Sequence, residues 1–188
     1  SKDEKTSMLK AVVEEVGDEA DIVAGTGSYS TFASIDMTKK AEEIGVDGIM
    51  LVTPYYNKPP QSGLYNHFSM IADETSLPIM LYNVPSRTSR NLEAGTVKKL
   101  AEIDNIIAVK EASGDMGQVG AISTIEKEDF YIYSGDDSLT MPILSQGGQG
   151  VVSVASHIVG NEIKEMIRLF KKGSLEQAFK LNKSLIPI

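Results

Sequence analysis

The sequence predicts an α/β protein built on a parallel sheet, and three observations carry that expectation. Short apolar runs alternate with amphipathic helical stretches at intervals of roughly 20 to 30 residues. Each apolar run ends in a stretch marked by glycine, proline or polar residues. The runs themselves are almost wholly apolar, which suits strands of a parallel sheet covered on both faces.

Taken in order, residues 1–16 read as an amphipathic helix, with Met8, Leu9, Val12, Val13 and Val16 at helical spacing. Residues 21–24 form a short strand. Gly25-Thr26-Gly27-Ser28 then turns into a helix carrying Phe32, Ile35, Met37, Ala41 and Ile44, stopped at Gly45. A strand over 48–53 runs into the loop 54–60, followed by a helix over 64–74. Pro78 opens a strand over 79–82, then comes a loop through Arg87 and Thr88 and a helix over 93–103. Residues 106–110 form the fourth strand, with Gly114 and Gly117 ahead of a helix over 118–127. A strand over 130–133 leads through Ser134-Gly135-Asp136-Asp137 into a short helix over 139–145. Gly147, Gly148 and Gly150 precede a last strand over 151–155, with helices over 161–172 and from 174 onward.

Six such units fit two architectures, an open doubly wound sheet and an eight-stranded barrel. A complete barrel takes about 250 residues, so on the barrel reading two strands lie outside these 188 residues. An opening helix agrees, because a βα array begins on a strand. No linker, low-complexity segment or sign of a second domain interrupts the pattern, so residues 1–188 are expected to form a single domain, on the barrel reading a partial one.

Composition narrows the function. A formal charge of -8 and a pI near 4.8 exclude a nucleic-acid or anionic-membrane surface as the expected partner, so an anionic ligand must be drawn in by a local cation. The absence of cysteine removes thiol nucleophiles and thiolate metal sites. No apolar run approaches the roughly 20 residues of a membrane helix, and residues 1–17 lack the layout of a signal peptide, so the expected location is cytoplasmic. His67 and His157 do not form a ligand cluster, and no metal is expected. Gly25-Thr26-Gly27 hints at a nucleotide-binding turn. A dinucleotide site, however, wants glycine where Ser30 stands and an acid where the next strand ends in Thr53.

The stretch 106–113 carries the chemistry, because a strand expected to be buried ends in Lys110. In water an ammonium titrates near 10.4, which leaves only about one amine in a few thousand neutral at pH 7. Burial favours the neutral form, and a neutral amine attacks carbonyls to form a Schiff base. The alternative is a lysine whose head snorkels into solvent. In either parallel architecture ligands bind at the carboxyl ends of the strands. There the sequence places Tyr56, Tyr82, Arg87, Lys110 and the Asp136-Asp137 pair: phenols for proton transfer, a guanidinium for a carboxylate, and a nucleophile. Read alone, each has a plainer role: Tyr82 a core aromatic, Tyr56 interface packing, Arg87 a solvated loop cation, the two aspartates helix caps.

Four segments in this order, Pro54-Tyr55-Tyr56-Asn57, Tyr82-Asn83-Val84-Pro85-Ser86-Arg87-Thr88, Lys110-Glu111-Ala112-Ser113-Gly114 and Ser134-Gly135-Asp136-Asp137, resemble the 4-hydroxy-tetrahydrodipicolinate (dihydrodipicolinate) synthases of the pyruvate-dependent class I aldolase superfamily. The resemblance spans about residues 21–159, and the Pro-Ser-Arg-Thr step separates this family from relatives such as N-acetylneuraminate lyase or keto-deoxy sugar acid aldolases. It implies a (β/α)8 barrel, here incomplete. The implied reaction condenses pyruvate with aspartate-4-semialdehyde in lysine (diaminopimelate) biosynthesis, without metal or organic cofactor, in a homodimer or homotetramer. Lys110 is implied as the Schiff-base lysine, Tyr82 as the proton-shuttling phenol and Tyr56 as the aromatic that completes a neighbour's relay. Arg87 would receive the semialdehyde carboxylate, Gly135 and Asp136 would lie near that substrate, and the backbone of Val152 would contact pyruvate. The family's Gly-Thr-Thr-Gly-Glu segment is absent from this sequence. Tyr29 and Ala33 replace the asparagine and glutamate of lysine-inhibited members, and Ser89 stands where many relatives have glycine.

Overall fold

The computed structural model describes residues 1–187. Six strands lie side by side in chain order: β1 (Val23–Gly25), β2 (Gly48–Val52), β3 (Ile79–Asn83), β4 (Ile106–Glu111), β5 (Tyr131–Ser134) and β6 (Gly150–Val151). Every neighbouring pair is parallel. A doubly wound sheet reverses its strand order at a switch point; this one never does, which decides between the two expected architectures. Helix α1 (Lys2–Val16) precedes the sheet, and α2 (Thr31–Ile44), α3 (Gln61–Ala72), α4 (Pro85–Thr88), α5 (Ala94–Leu100), α6 (Met116–Ile122) and α7 (Thr140–Ser145) occupy the crossovers. Helices α8 (Ser156–Lys171) and α9 (Leu175–Leu185) follow β6. Apart from the single turn α4, each helix packs against the next in chain order, forming one layer outside a curled, open half-barrel.

Side-chain alternation along the strands explains the two faces. Ile49, Leu51, Ile79, Leu81 and Val109 point outward beneath the helices and are fully buried with Phe68, Leu100 and Ile122. The intervening positions, Met50, Val52, Met80, Tyr82 and Tyr133, are half-buried, and Val23 is 51% exposed. The expected cover on both faces therefore fails: helices cover only one, and the concave face is partly open. Helix α1 shows the same partial cover, since Leu9, Val13 and Val16 pack on the core while Met8 and Val12 stay exposed.

Local chemistry accounts for most boundaries. Ser1 and Glu4 form a capping box at α1, Ser30 caps α2, Asp115 caps α6, and Gly45 ends α2 in the left-handed region at φ 92°. The loop expected through Arg87 contains a helical turn: Pro85 starts it with its fixed φ, and Ser89 stops it at φ 56°. Helix α6 ends earlier than expected. Ser123 and Thr124 turn their hydroxyls onto the Gly120 and Ala121 carbonyls, and Lys127 donates to the carbonyls of Ile103, Asp104 and Ile106. Strand β6 is shorter than the expected 151–155 because its partner β5 ends at Ser134, whose carbonyl takes the Val152 N–H at 2.8 Å. None of the helices among residues 1–187 is long and apolar enough to cross a membrane.

His67 on α3 is buried, with Nδ1 2.8 Å from Thr31 Oγ1, Nε2 unpartnered and the Phe68 ring edge-on at 5.1 Å. Burial lowers its pKa to about 4. The unfolded chain takes up a proton near pH 6.5 that the folded chain refuses until about pH 4, so stability present above pH 6.5 falls across that window. Urea midpoints measured from pH 7 to pH 4 will show this loss, and His67→Gln will flatten it. Ser89→Gly removes a left-handed conformation costly to a residue with a Cβ and is expected to raise stability by about 0.5–1 kcal/mol in equilibrium denaturation.

Candidate active site

The parallel register builds the site. Tyr82 on β3, Lys110 on β4 and Tyr133 on β5 are paired across the sheet, at one height on the concave face. Lys110 is only 9% exposed, so its head does not snorkel into bulk solvent. Its Nζ lies over the Tyr82 ring, 4.0 Å from the centroid, a geometry that stabilises a cation without a neighbouring anion. On the other side runs the Gly135 backbone. A Cβ there would stand 2.8 Å from Ala112 Cβ, 3.0 Å from Lys110 Cε and 3.1 Å from Lys110 Cγ. Gly135 thus makes room for the lysine stem, a packing role that the sequence did not suggest.

Electrostatics follow from this enclosure. Burial lowers the Lys110 pKa below its ordinary value, with the Asp137 carboxylate pulling the other way. Burial raises the Tyr82 pKa, and the Arg87 charge opposes that shift, so the phenol stays protonated at neutral pH and has a cation within electrostatic reach. Arg87 itself is exposed on α4. The arrangement combines a desolvated amine, a protonated phenol and an accessible guanidinium: a nucleophile for a carbonyl, a proton donor, and a counter-ion for a carboxylate.

The two adjacent aspartates divide their work. Asp136 is exposed and caps the 3-10 turn Asp137–Leu139, accepting from Ser138 N and Ser138 Oγ at 2.9 and 2.7 Å. Asp137 faces inward. Its Oδ2 accepts the Val154 and Ala155 N–H groups at 3.1 Å each, while Oδ1 is buried without a partner. Burial works to raise its pKa, but the Ser153, Ala155 and Val154 donors and the Lys110 charge outweigh that and hold it below the usual carboxylate value. Asp136 is the residue expected near the second substrate; the carboxylate coupled to the lysine is Asp137, one residue on, and only the turn geometry separates them. Tyr133 also stands beside Lys110, a neighbour that only the β4–β5 register reveals.

Two other expected residues sit differently. Val152 lies half-buried directly after β6, its N–H held by Ser134 O, at the rim beside β5. Tyr56 is 88% exposed on the loop after β2, in the left-handed region at φ 69°, and is not gathered into the group around Lys110. A cavity of about 500 Å³ opens beside Asp136 and Asp137 toward Val154, Ile158 and Ile163 on the β6–α8 side, and Lys110 is not among its lining residues. Among the described residues no group of three or more His, Cys, Asp or Glu is arranged to hold a metal ion.

Comparison with known proteins extends these observations. The model of the dihydrodipicolinate synthetase family matches residues 1–188. The chain is 57% identical over 189 aligned residues to the 4-hydroxy-tetrahydrodipicolinate synthase of Desulforamulus reducens, covering 100% of this chain and 64% of that protein. To the enzyme of the same name from Bacillus subtilis it is 53% identical over 189 residues, covering 100% and 65%. Its fold superposes on dihydrodipicolinate synthase from Bacillus anthracis with a TM-score of 0.94 at 50% identity, over 97% of this chain and 63% of the other. For the Aquifex aeolicus protein the TM-score is 0.97 at 38% identity, over 100% and 64%. The chain therefore spans about two thirds of the length of the curated relatives it matches, 64% for the first of these. With the family model matched from end to end and the half-barrel superposing on solved members, the chain belongs to the dihydrodipicolinate synthetase family.

Proposed function

We propose that this chain carries the Schiff-base half of a 4-hydroxy-tetrahydrodipicolinate synthase, joining pyruvate to aspartate-4-semialdehyde. The observation that carries the reading is Lys110, buried at the carboxyl end of β4 with its pKa lowered by desolvation and its head over Tyr82. Relatives bearing the synthase name share 50–57% of its residues, which supports the choice of substrates.

The reaction follows from ordinary carbonyl chemistry. Neutral Lys110 attacks C2 of pyruvate, and loss of water leaves an iminium whose positive charge rests on the Tyr82 face. The iminium withdraws electrons, so the pyruvate methyl gives up a proton and the resulting enamine carbon attacks the aldehyde of the second substrate. That substrate's own amine then adds to C2 and displaces Lys110, closing the ring and regenerating the free lysine. Tyr82, held protonated by burial, supplies and recovers protons on this path. Arg87 receives the semialdehyde carboxylate, and Gly135, Asp136 and Val152 border the two substrates. Tyr56, projecting into solvent on a strained backbone, is assigned to the site of a second copy in a homodimer or homotetramer.

Treating the full-length protein with pyruvate and borohydride will leave a reduced adduct that mass spectrometry maps to Lys110; an adduct elsewhere, or none, sinks the assignment. Arg87→Ala is expected to raise KM for the semialdehyde about tenfold to a hundredfold, the weight of one charge-assisted hydrogen bond. The rate of pyruvate trapping should stay close to wild type, and equal loss in both assays would contradict the role given to Arg87.

A further inference from the structure

Behind the lysine, on the opposite face of the sheet, lies a buried polar cluster that the reaction does not use. Glu111 and Asn83 are 1% and 0% exposed and are paired in register, each directly following one member of the Lys110–Tyr82 pair. The Glu111 carboxylate is surrounded only by donors: Asn83 Nδ2 at 3.2 and 3.1 Å to its two oxygens, Ser113 N at 2.7 Å and Gln118 Nε2 at 3.0 Å. Among the described residues no cation forms a salt bridge with it. Asn83 Oδ1 accepts the Leu92 N–H at 2.9 Å, and Asn83 Nδ2 also donates to Asn91 Oδ1 at 2.8 Å. Asn91 Nδ2 in turn donates to Gln118 Oε1 at 2.7 Å.

A buried carboxylate without a cation is costly unless its lone pairs are filled, and apolar replacement is often no less stable. Stability alone does not account for its place here. What the cluster joins is specific: the end of β3, the end of β4, the segment that returns from the Arg87 turn through Asn91 and Leu92, and the start of α6 through Gln118. Neighbouring side chains along a strand point to opposite faces, so clamping Asn83 and Glu111 behind the sheet orients the peptides that aim Tyr82 and Lys110 in front of it.

We propose that Glu111 is a positioning residue for the reaction, acting through Asn83 to hold Lys110 and Tyr82 in mutual alignment. This rests on the Schiff-base reading above. The chemistry of the cluster supplies an unusually selective test. Glutamine at 111 preserves shape, but its amide brings a donor into a ring of donors. The exchange Glu111→Gln with Gln118→Glu moves the carboxylate one hydrogen bond along. The amide at position 111 can then accept from Asn83 and Ser113 and donate to the carboxylate at position 118, which still accepts from Asn91 Nδ2 but gives up the Gln118 Nε2 bonds to Asn91 Oδ1 and the Leu92 carbonyl, 3.2 and 3.3 Å.

In the full-length protein, E111Q is expected to form the borohydride-trapped pyruvate adduct about a hundredfold more slowly, the scale of a small misplacement of reacting groups. Its kcat should fall more than its KM for pyruvate changes, with the thermal transition still well above the assay temperature. The double exchange E111Q/Q118E should recover about tenfold or more of that rate, as coupled neighbours do. Wild-type trapping rates in E111Q overturn the proposal. So does a folded double exchange that restores thermal stability but not the rate; should E111Q alone fail to fold, the double exchange decides in the same way. Absence of any adduct in the wild-type protein overturns the Schiff-base reading and this role with it.

Discussion

Desolvation of a single amine is the constraint on which the site depends. An ammonium surrounded by water is not a nucleophile at neutral pH, and an amine sealed in hydrocarbon is not accessible to substrate. Lys110 stands between these limits on the concave face of a curled sheet, packed between the Tyr82 ring and the Gly135 backbone and 9% exposed. The Asp137 charge tempers the shift. Burial thus favours the neutral amine while the Tyr82 ring and the Asp137 carboxylate favour the protonated one, the balance that the proposed cycle between amine and iminium requires.

The fold makes that placement inexpensive by keeping its two faces distinct. Apolar side chains beneath the helices bury the outer face, so the inner face is free to carry tyrosines and a lysine that contribute little to the core. Only at the carboxyl ends does polarity cross to the outer face, where Asn83, Glu111 and Ser134 stand in register and are fully or almost fully buried. That row marks where the hydrophobic layer gives way to a hydrogen-bonded one. It lies directly behind Tyr82 and Lys110, with Asn83 and Glu111 joined to them through single peptide units.

Legibility of the sequence varied with the physics involved. All six strands and the helices between them were visible from apolar runs and their punctuation. The single turn α4 was not, because a proline after Asn-Val reads as a loop unless the left-handed residue that ends the turn, Ser89, is known. The length of β6 was misread because apolar content in 151–155 says nothing about where a partner strand stops. In the site, the residue types were legible and the resemblance assigned their roles. The distinction between Asp136 and Asp137 was not legible, since adjacent carboxylates in a turn differ only in direction.

What the amino-acid sequence determined by itself is the alternation of strand and helix, the chemistry-bearing residues at the strand ends, and the family, because these are local patterns that survive in one dimension. The tertiary structure alone decided that the strands run in unbroken order around a curve rather than reversing. It also decided that helices cover one face and not two, that Asp137 and not Asp136 faces the lysine, and that Glu111 is the centre of a donor ring. Each of these depends on which distant segments become neighbours. Hydrogen bonds and charges act over a few ångströms, so contacts between residues far apart in the chain have no signature until the chain is folded.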